Sequence, residues 1–199
     1  MPTREDQHEF ALKLYFGGRK PLECATARAY QDFCRTAHGI GKYKGAREHA
    51  EARIQEALRQ QSNSRVPVTD EKFDNWHEEL CREVREKSRD CGFELSVGQA
   101  QKWINMTLKY LFVFGEESAP GFAKFYPHCH IPIDNIILRR PEFDGLEDFG
   151  CAWSRISDYA RYLSFQNKVR EKFKGSCPLA VEFWLWQGGV LSRSDSPPP

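Results

Sequence analysis

The strongest constraint on the fold is the segment SVGQAQKWINMTLKYLF, residues 96–112. Ser96 and Gln99 have the spacing of a capping box, in which two side chains satisfy the first free N–H groups of a helix. Apolar residues then recur at intervals of three and four, namely Val97, Ala100, Ile104, Leu108 and Leu111. Because this spacing is typical of one face of an amphipathic helix, the segment predicts a long helix packed against the core.

The opposite face of the same predicted helix carries glycine and polar residues. They recur at the same helical intervals: Gly98, Lys102, Asn105 and Lys109. A polar face of this kind is usually solvated. The helical spacing therefore predicts a basic polar stripe on the side of the helix opposite the core.

The rest of the chain also favours helices over strands. Helical periodicity, N-caps and terminating glycines predict further helices at 4–16, 22–38, 44–61, 71–90, 135–140, 153–173 and 178–187. A strand is the alternative for 178–187, since that run is short and aromatic-rich. We predict an all-α bundle of roughly six to nine helices, formed by residues 1–190 as one domain or as two packed lobes meeting near 61–70. The tail 191–199 is predicted to be disordered.

Composition limits the classes of partner and compartment. The 29 basic and 28 acidic side chains leave a net charge of +1, which neither predicts nor excludes nucleic-acid binding. The sequence has no apolar stretch long enough for a membrane span, and its N-terminus is polar. We therefore expect no membrane partner and a cytoplasmic location. The seven cysteines lack a C-x-x-C pair, and we predict no metal site, although His128, Cys129 and His130 are three ligand-type residues in a row.

Lys102 and Asp134 form the pair with the most specific chemical potential. A lysine attacks a sugar C1′ only as the neutral amine, which desolvation or a nearby positive charge favours. The start of a helix supplies a positive dipole end, and Lys109 adds a positive charge to the same stripe. An aspartate at the start of the predicted helix 135–140 can accept a proton or stabilise a charged sugar intermediate.

The segments around these two residues, VGQAQKWINMTLKYLF and HIPID, resemble the catalytic region of the helix-hairpin-helix DNA glycosylases. The likeness is strongest to the archaeal branch that removes 8-oxoguanine. In that superfamily a turn leads into the helix that carries a Schiff-base lysine, and an [IV]-P-[IV]-D segment supplies the catalytic aspartate. The hairpin signature L-P-G-[VI]-G and the four-cysteine iron–sulfur loop of the superfamily are missing from this sequence.

The resemblance implies a base-excision glycosylase and AP lyase. Lys102 would be the nucleophile and Asp134 its partner, with duplex DNA carrying a damaged base as substrate and no cofactor. Residue type suggests further contacts to the DNA backbone or the extruded base: Gly98, Trp103, Asn105, Lys109, Phe125, Tyr126, Arg139 and Arg140.

Simpler interpretations explain the same residues. A lysine on a polar stripe is usually solvated, and an aspartate before a short helix is usually an N-cap. The near-zero net charge and the missing hairpin favour a non-enzymatic helical module that binds a protein partner, of the kind found in phage, mobile-element or defence systems. A nuclease or a nucleotide-processing enzyme is a third alternative.

Overall fold

The chain is all α-helical in the computed structural model, which describes residues 2–17 and 20–187, with only the backbone at 15 and 16. The described part forms eight α-helices and no strand: α1 Arg4–Phe16, α2 Pro21–Phe33, α3 Ala46–Asn63, α4 Asp70–Arg89, α5 Val97–Ser118, α6 Asn135–Leu138, α7 Tyr159–Lys172 and α8 Pro178–Trp186. The predicted all-α fold is therefore confirmed, and 178–187 is helical. The predicted tail 191–199 lies outside the described residues.

The predicted helix 153–173 is shorter than expected. Its first residues form a separate 3-10 turn, Trp153–Arg155, and α7 begins only at Tyr159. The reason is the side chain of Asp158, whose Oδ1 accepts the N–H of Ala160 at 2.8 Å and so defines a new helix start.

Side-chain caps fix the helix starts that matter for the site. The Thr69 hydroxyl caps α4. Ser96 and Gln99 form the predicted capping box at the start of α5. Asp134 caps α6. Since each cap satisfies backbone N–H groups that have no partner within the helix, it anchors the first turn.

Helix α5 is the centre of the molecule. Every residue from Val97 to Lys109 is buried, over a length of about 20 Å. Helix α2 makes its most extensive contact with α5, and α4 and the turn Trp153–Arg155 cover other sides of it. The sequence predicts a solvated polar stripe, but the structure buries it. Lys102 is 4 % and Lys109 6 % exposed.

The buried apolar side chains form one continuous cluster that reaches from Cys24 in α2 to Leu185 in α8. Between α3 and α4 the chain runs through a loop at residues 64–69. A division into two lobes near residues 61–70 stays a prediction. No helix within residues 2–17 and 20–187 has the length and apolar character required to cross a bilayer.

Candidate functional site

The fold brings Lys102 and Asp134 together, although 32 positions separate them in the sequence. Lys102 Nζ donates a hydrogen bond to Asp134 Oδ2 at 2.6 Å. The Asp134 side chain is 19 % exposed, whereas the lysine is almost completely covered. The lysine is therefore a desolvated amine whose partner carboxylate reaches the surface.

Local structure fixes the carboxylate more firmly than the amine. Asp134 Oδ1 accepts the N–H groups of Ile136 at 2.8 Å and Ile137 at 2.9 Å, as the N-cap of α6. The second oxygen is left for Lys102. Because two backbone donors hold the aspartate independently of Lys102, a rearrangement of the pair must move the flexible lysine stem instead.

A second buried ion pair lies on the same face of α5. Lys109 Nζ is 2.9 Å from Glu182 Oε1 and 2.7 Å from Oε2, and Glu182 in α8 is 2 % exposed. Burial raises the pKa of Glu182, and the charges of Lys109 and Lys102 oppose that rise. Glu182 therefore lies within electrostatic range of both lysines. Lys109 is thus a buried partner of a carboxylate and does not offer a free cation for a phosphate.

Gly98 serves packing between two segments. Its N–H donates to the Ile156 carbonyl at 2.9 Å, and a Cβ at this position would lie 1.8 Å from the Trp153 carbonyl oxygen. The turn at 153–155 thus covers the first turn of α5. The predicted contact of Gly98 with DNA is corrected, because protein backbone already occupies that face.

Trp103 is a core residue and does not line a surface. The side chain is fully buried, its Nε1–H donates to the Thr26 carbonyl at 2.9 Å, and its ring packs on Tyr30 and Phe33 with centroids 5.3 and 5.1 Å away. Its predicted stacking on an extruded base is therefore corrected: both the ring and the indole N–H are used within the core.

Asn105 belongs to a buried polar network. It donates from Nδ2 to the Tyr162 hydroxyl at 2.8 Å and accepts at Oδ1 from His77 Nε2 at 3.0 Å. Tyr162 also contacts His130 Nδ1 at 2.9 Å, and His130 Nε2 donates to Asp74 at 2.8 Å. The predicted DNA contact of Asn105 is corrected, because the amide is fully buried and joins α4, α5 and α7.

The histidines of this network are neutral. Since Asp74 can only accept, His130 carries its proton on Nε2 and accepts from Tyr162 at Nδ1. Burial lowers the pKa of His130 to about 4 and that of His77 well below its usual value. Burial opposes ionisation of Asp74 too, but hydrogen bonds from His130 and Arg170 outweigh it and lower the pKa of Asp74.

The sequence H-C-H at residues 128–130 does not converge on one point. His128 contacts Asp70 at 2.6 Å, while His130 points into the buried network. Cys129 is buried, and burial raises the pKa of its thiol. No group of three or more ligand-type side chains within the described residues could hold a metal ion.

Phe125 and Tyr126 pack against residues other than Lys102 and Asp134. Phe125 forms part of the wall of a cavity of about 230 Å³, and its ring packs on Trp76 with centroids 6.3 Å apart. The cavity is lined by Gln61, Ser64, Val66, Pro67, Val68, Lys72, Phe73, Trp76 and Phe125. Tyr126 packs edge-on against Phe112, and burial raises its pKa. Neither Lys102 nor Asp134 lines this cavity.

The two predicted arginines follow α6 directly. Arg139 is exposed, whereas Arg140 is half-buried and bonded to Glu142 at 3.0 Å. Ile136, two residues after Asp134, is 54 % exposed. The exposed residues that follow Asp134 along the chain therefore include a cation and an apolar side chain.

Sequence reasoning missed Glu182 and the polar network. Glu182 had one usable signal, because it is a single carboxylate within the otherwise apolar run PLAVEFWLW. A charge in such a helix requires a buried partner. His77 and Tyr162 gave no comparable signal, since each stands in a helix rich in polar residues.

Comparison with protein-family models, with curated proteins and with solved structures finds no match to this chain. Its candidate site therefore rests on geometry: a buried amine, a surface-reaching carboxylate and a second buried ion pair beside them.

Proposed function

We propose that the chain is a DNA base-excision glycosylase and AP lyase, in which Lys102 is the nucleophile and Asp134 its proton acceptor. The observation that carries the proposal is the 2.6 Å contact between Lys102 Nζ and Asp134 Oδ2. Desolvation favours the neutral form of an amine nucleophile, and the carboxylate beside Lys102 can accept the proton that the amine loses. The resemblance of the two surrounding segments to the glycosylase superfamily gives this chemistry its substrate.

In the proposed reaction, the neutral Lys102 amine attacks C1′ of a nucleotide that has left the base stack. The new Nζ–C1′ bond replaces the bond from C1′ to the base, which leaves with the bonding electrons and takes up a proton. Asp134 receives the proton that the amine loses. The nitrogen lone pair then displaces O4′ from C1′, so that the sugar ring opens, O4′ takes up a proton and an imine forms. The imine makes the C2′ proton acidic, and removal of this proton expels the 3′ phosphate from C3′, which nicks the strand.

The exposed edge of Asp134 defines the side from which DNA would approach. Ile136 and Arg139, two and five residues after Asp134, are exposed and could supply one apolar contact and one phosphate contact. Trp103 and Asn105 are used within the core, so the proposal assigns them no role in base recognition. Access to Lys102 requires the side chain to move past the fixed carboxylate.

Borohydride trapping tests the proposal directly. Wild-type protein is incubated with a duplex carrying 8-oxoguanine, or with one carrying an abasic site, and sodium borohydride reduces any imine to a stable adduct. We expect an adduct with the wild type, none with Lys102→Gln, and unchanged trapping with Lys168→Gln, a surface lysine paired with Glu147. Absence of an adduct with both duplexes refutes the proposal.

Asp134→Asn separates the chemical role of the aspartate from its cap. Asparagine is as good an N-cap as aspartate, so α6 should keep its start. We expect trapping to slow by about 100-fold or more, the usual contribution of a positioned acid or base. A rate within about twofold of the wild type, with an unchanged circular-dichroism spectrum, would leave Asp134 with a capping role alone.

The cavity at Trp76 and Phe125 favours a second candidate function, the binding of a protein partner. Six of its nine lining residues are apolar, one of them, Val66, is 57 % exposed, and Lys72 is the charged residue in its lining. An acidic peptide with one aromatic anchor matches that chemistry. Titration of labelled protein with such peptides should shift the Trp76 indole resonance, and a spectrum without shifts at any lining residue would exclude this function.

A further inference from the structure

The two buried ion pairs on α5 are close enough to act on each other. Lys102 and Lys109 are seven residues apart, which places them on one face of the helix about 10 Å apart along its axis. Their carboxylates come from the N-cap of α6 and from α8, and these two helices are in contact. The four charged groups therefore form one cluster, with Glu182 as its most deeply buried carboxylate.

We infer that Glu182 is a positioning residue that controls when Lys102 becomes a neutral amine, by balancing the charge of Lys109. This inference rests on the proposed function of Lys102. Glu182 makes no hydrogen bond to Lys102. It accepts a hydrogen bond from Lys109, which lies on the same face of α5.

The charged groups that act on Glu182 are Lys109 and Lys102 from α5 and Asp134 from the start of α6. When all four groups are ionised, the two positive and two negative charges cancel. Removal of the Glu182 charge leaves Lys109 as an unbalanced cation in a region where water does not screen it. A cation at that distance disfavours the protonated form of Lys102.

Glu182→Gln is the diagnostic variant, because glutamine keeps the size and one acceptor oxygen for Lys109. The rate of borohydride trapping is measured against pH. We expect the midpoint of the profile to move to lower pH by about 1 unit, since unit charges about 10 Å apart interact on this scale at an effective dielectric constant of about 20. A purely structural role would lower the amount of active protein without moving the midpoint.

The double variant Lys109→Gln/Glu182→Gln is the matched control. It removes one charge of each sign, so the midpoint should return to within about 0.2 pH units of the wild type. A double variant that stays as far displaced as Glu182→Gln overturns the inference. If Glu182→Gln does not fold, Lys109→Gln must move the midpoint to higher pH, and an unmoved midpoint overturns the inference equally.

A second measurement separates this inference from the proposed function. NMR titration of the Lys102 side chain reports its protonation without any substrate. If the wild type traps no adduct, the glycosylase proposal fails, while a midpoint that still moves in Glu182→Gln supports the electrostatic coupling. If the wild type traps an adduct, but Glu182→Gln moves neither the midpoint of the trapping profile nor that of the NMR titration, the proposed function stands and the role of Glu182 is refuted.

Discussion

The buried network around His130 predicts that the protein loses stability when the pH falls from 6.5 towards 4. In the unfolded chain this imidazole takes up a proton near its ordinary pKa of 6.5, whereas burial lowers the pKa in the folded protein to about 4. Between these values the unfolded state binds more protons, so the free energy of unfolding falls with falling pH.

The magnitude follows from the same two values. Each pH unit in this interval removes about 1.4 kcal/mol, so His130 alone accounts for about 3 kcal/mol by pH 4. His77 acts in the same direction, because burial and the neighbouring His130 lower its pKa well below the usual value. A loss of this size is a large part of the 5–15 kcal/mol that typically separates folded from unfolded states.

Asp74 extends the loss to more acidic solution. Its pKa lies below the ordinary value of 3.8, because hydrogen bonds from His130 and Arg170 outweigh the effect of burial. A carboxylate of this kind stabilises the fold above its unfolded pKa and loses that contribution as the pH falls through its folded pKa. As the pH falls, protonation of His130 therefore lowers the stability first, and protonation of Asp74 lowers it further in the next pH interval.

Chemical denaturation followed by circular dichroism, repeated across this pH range, measures the predicted slope. His130→Gln should be less stable near neutral pH, because the network loses a member, and should show a shallower slope. His38→Gln, at an exposed histidine, should keep the slope of the wild type. A wild-type slope near zero, or an unchanged slope in His130→Gln, would refute the assignment of the acid sensitivity to this network.

Three further predictions concern packing and caps. Gly98→Ala should lower the free energy of unfolding in urea denaturation by about 3 kcal/mol or more, because the new Cβ would lie 1.8 Å from a carbonyl oxygen. Gly41→Ala, whose Cβ would have no atom within 4 Å, should lower it by less than about 1 kcal/mol. Trp103→Phe should lower the melting temperature by an amount equivalent to about 2 kcal/mol, because it removes a buried N–H donor, while Trp186→Phe, 57 % exposed, should stay within about 0.5 kcal/mol. Ser96→Ala should cost about 1 kcal/mol, and slow amide exchange in the first turn of α5 that matches the wild type would contradict its role as a cap.

Helix positions could be predicted because their signals are local. Ser96 with Gln99 marks the start of α5, Thr69 that of α4 and Asp134 that of α6, and each cap acts within three or four residues of itself. The start of α7 was predicted too early, because a side-chain cap at Asp158 competes with an apolar pattern that continues through it.

Burial of the polar face of α5 could not be predicted in the same way. Periodicity assigns Lys102 and Lys109 to the face opposite the apolar residues, and it predicts solvent there. The partners that make burial tolerable are Asp134, the N-cap of α6, and Glu182 in α8, which lie 32 and 73 positions away. Such pairing depends on how distant helices pack, and a sequence window contains no information on that packing.

The sequence by itself determined the all-α class, the main helix caps and the choice of Lys102 and Asp134 as the pair to test. Tertiary structure alone decided that this lysine is desolvated, that Trp103 and Asn105 belong to the core, and that Glu182 joins the charged cluster. The physical reason is that caps and periodicity arise from interactions within a few residues, whereas desolvation and charge pairing depend on every segment that surrounds a side chain.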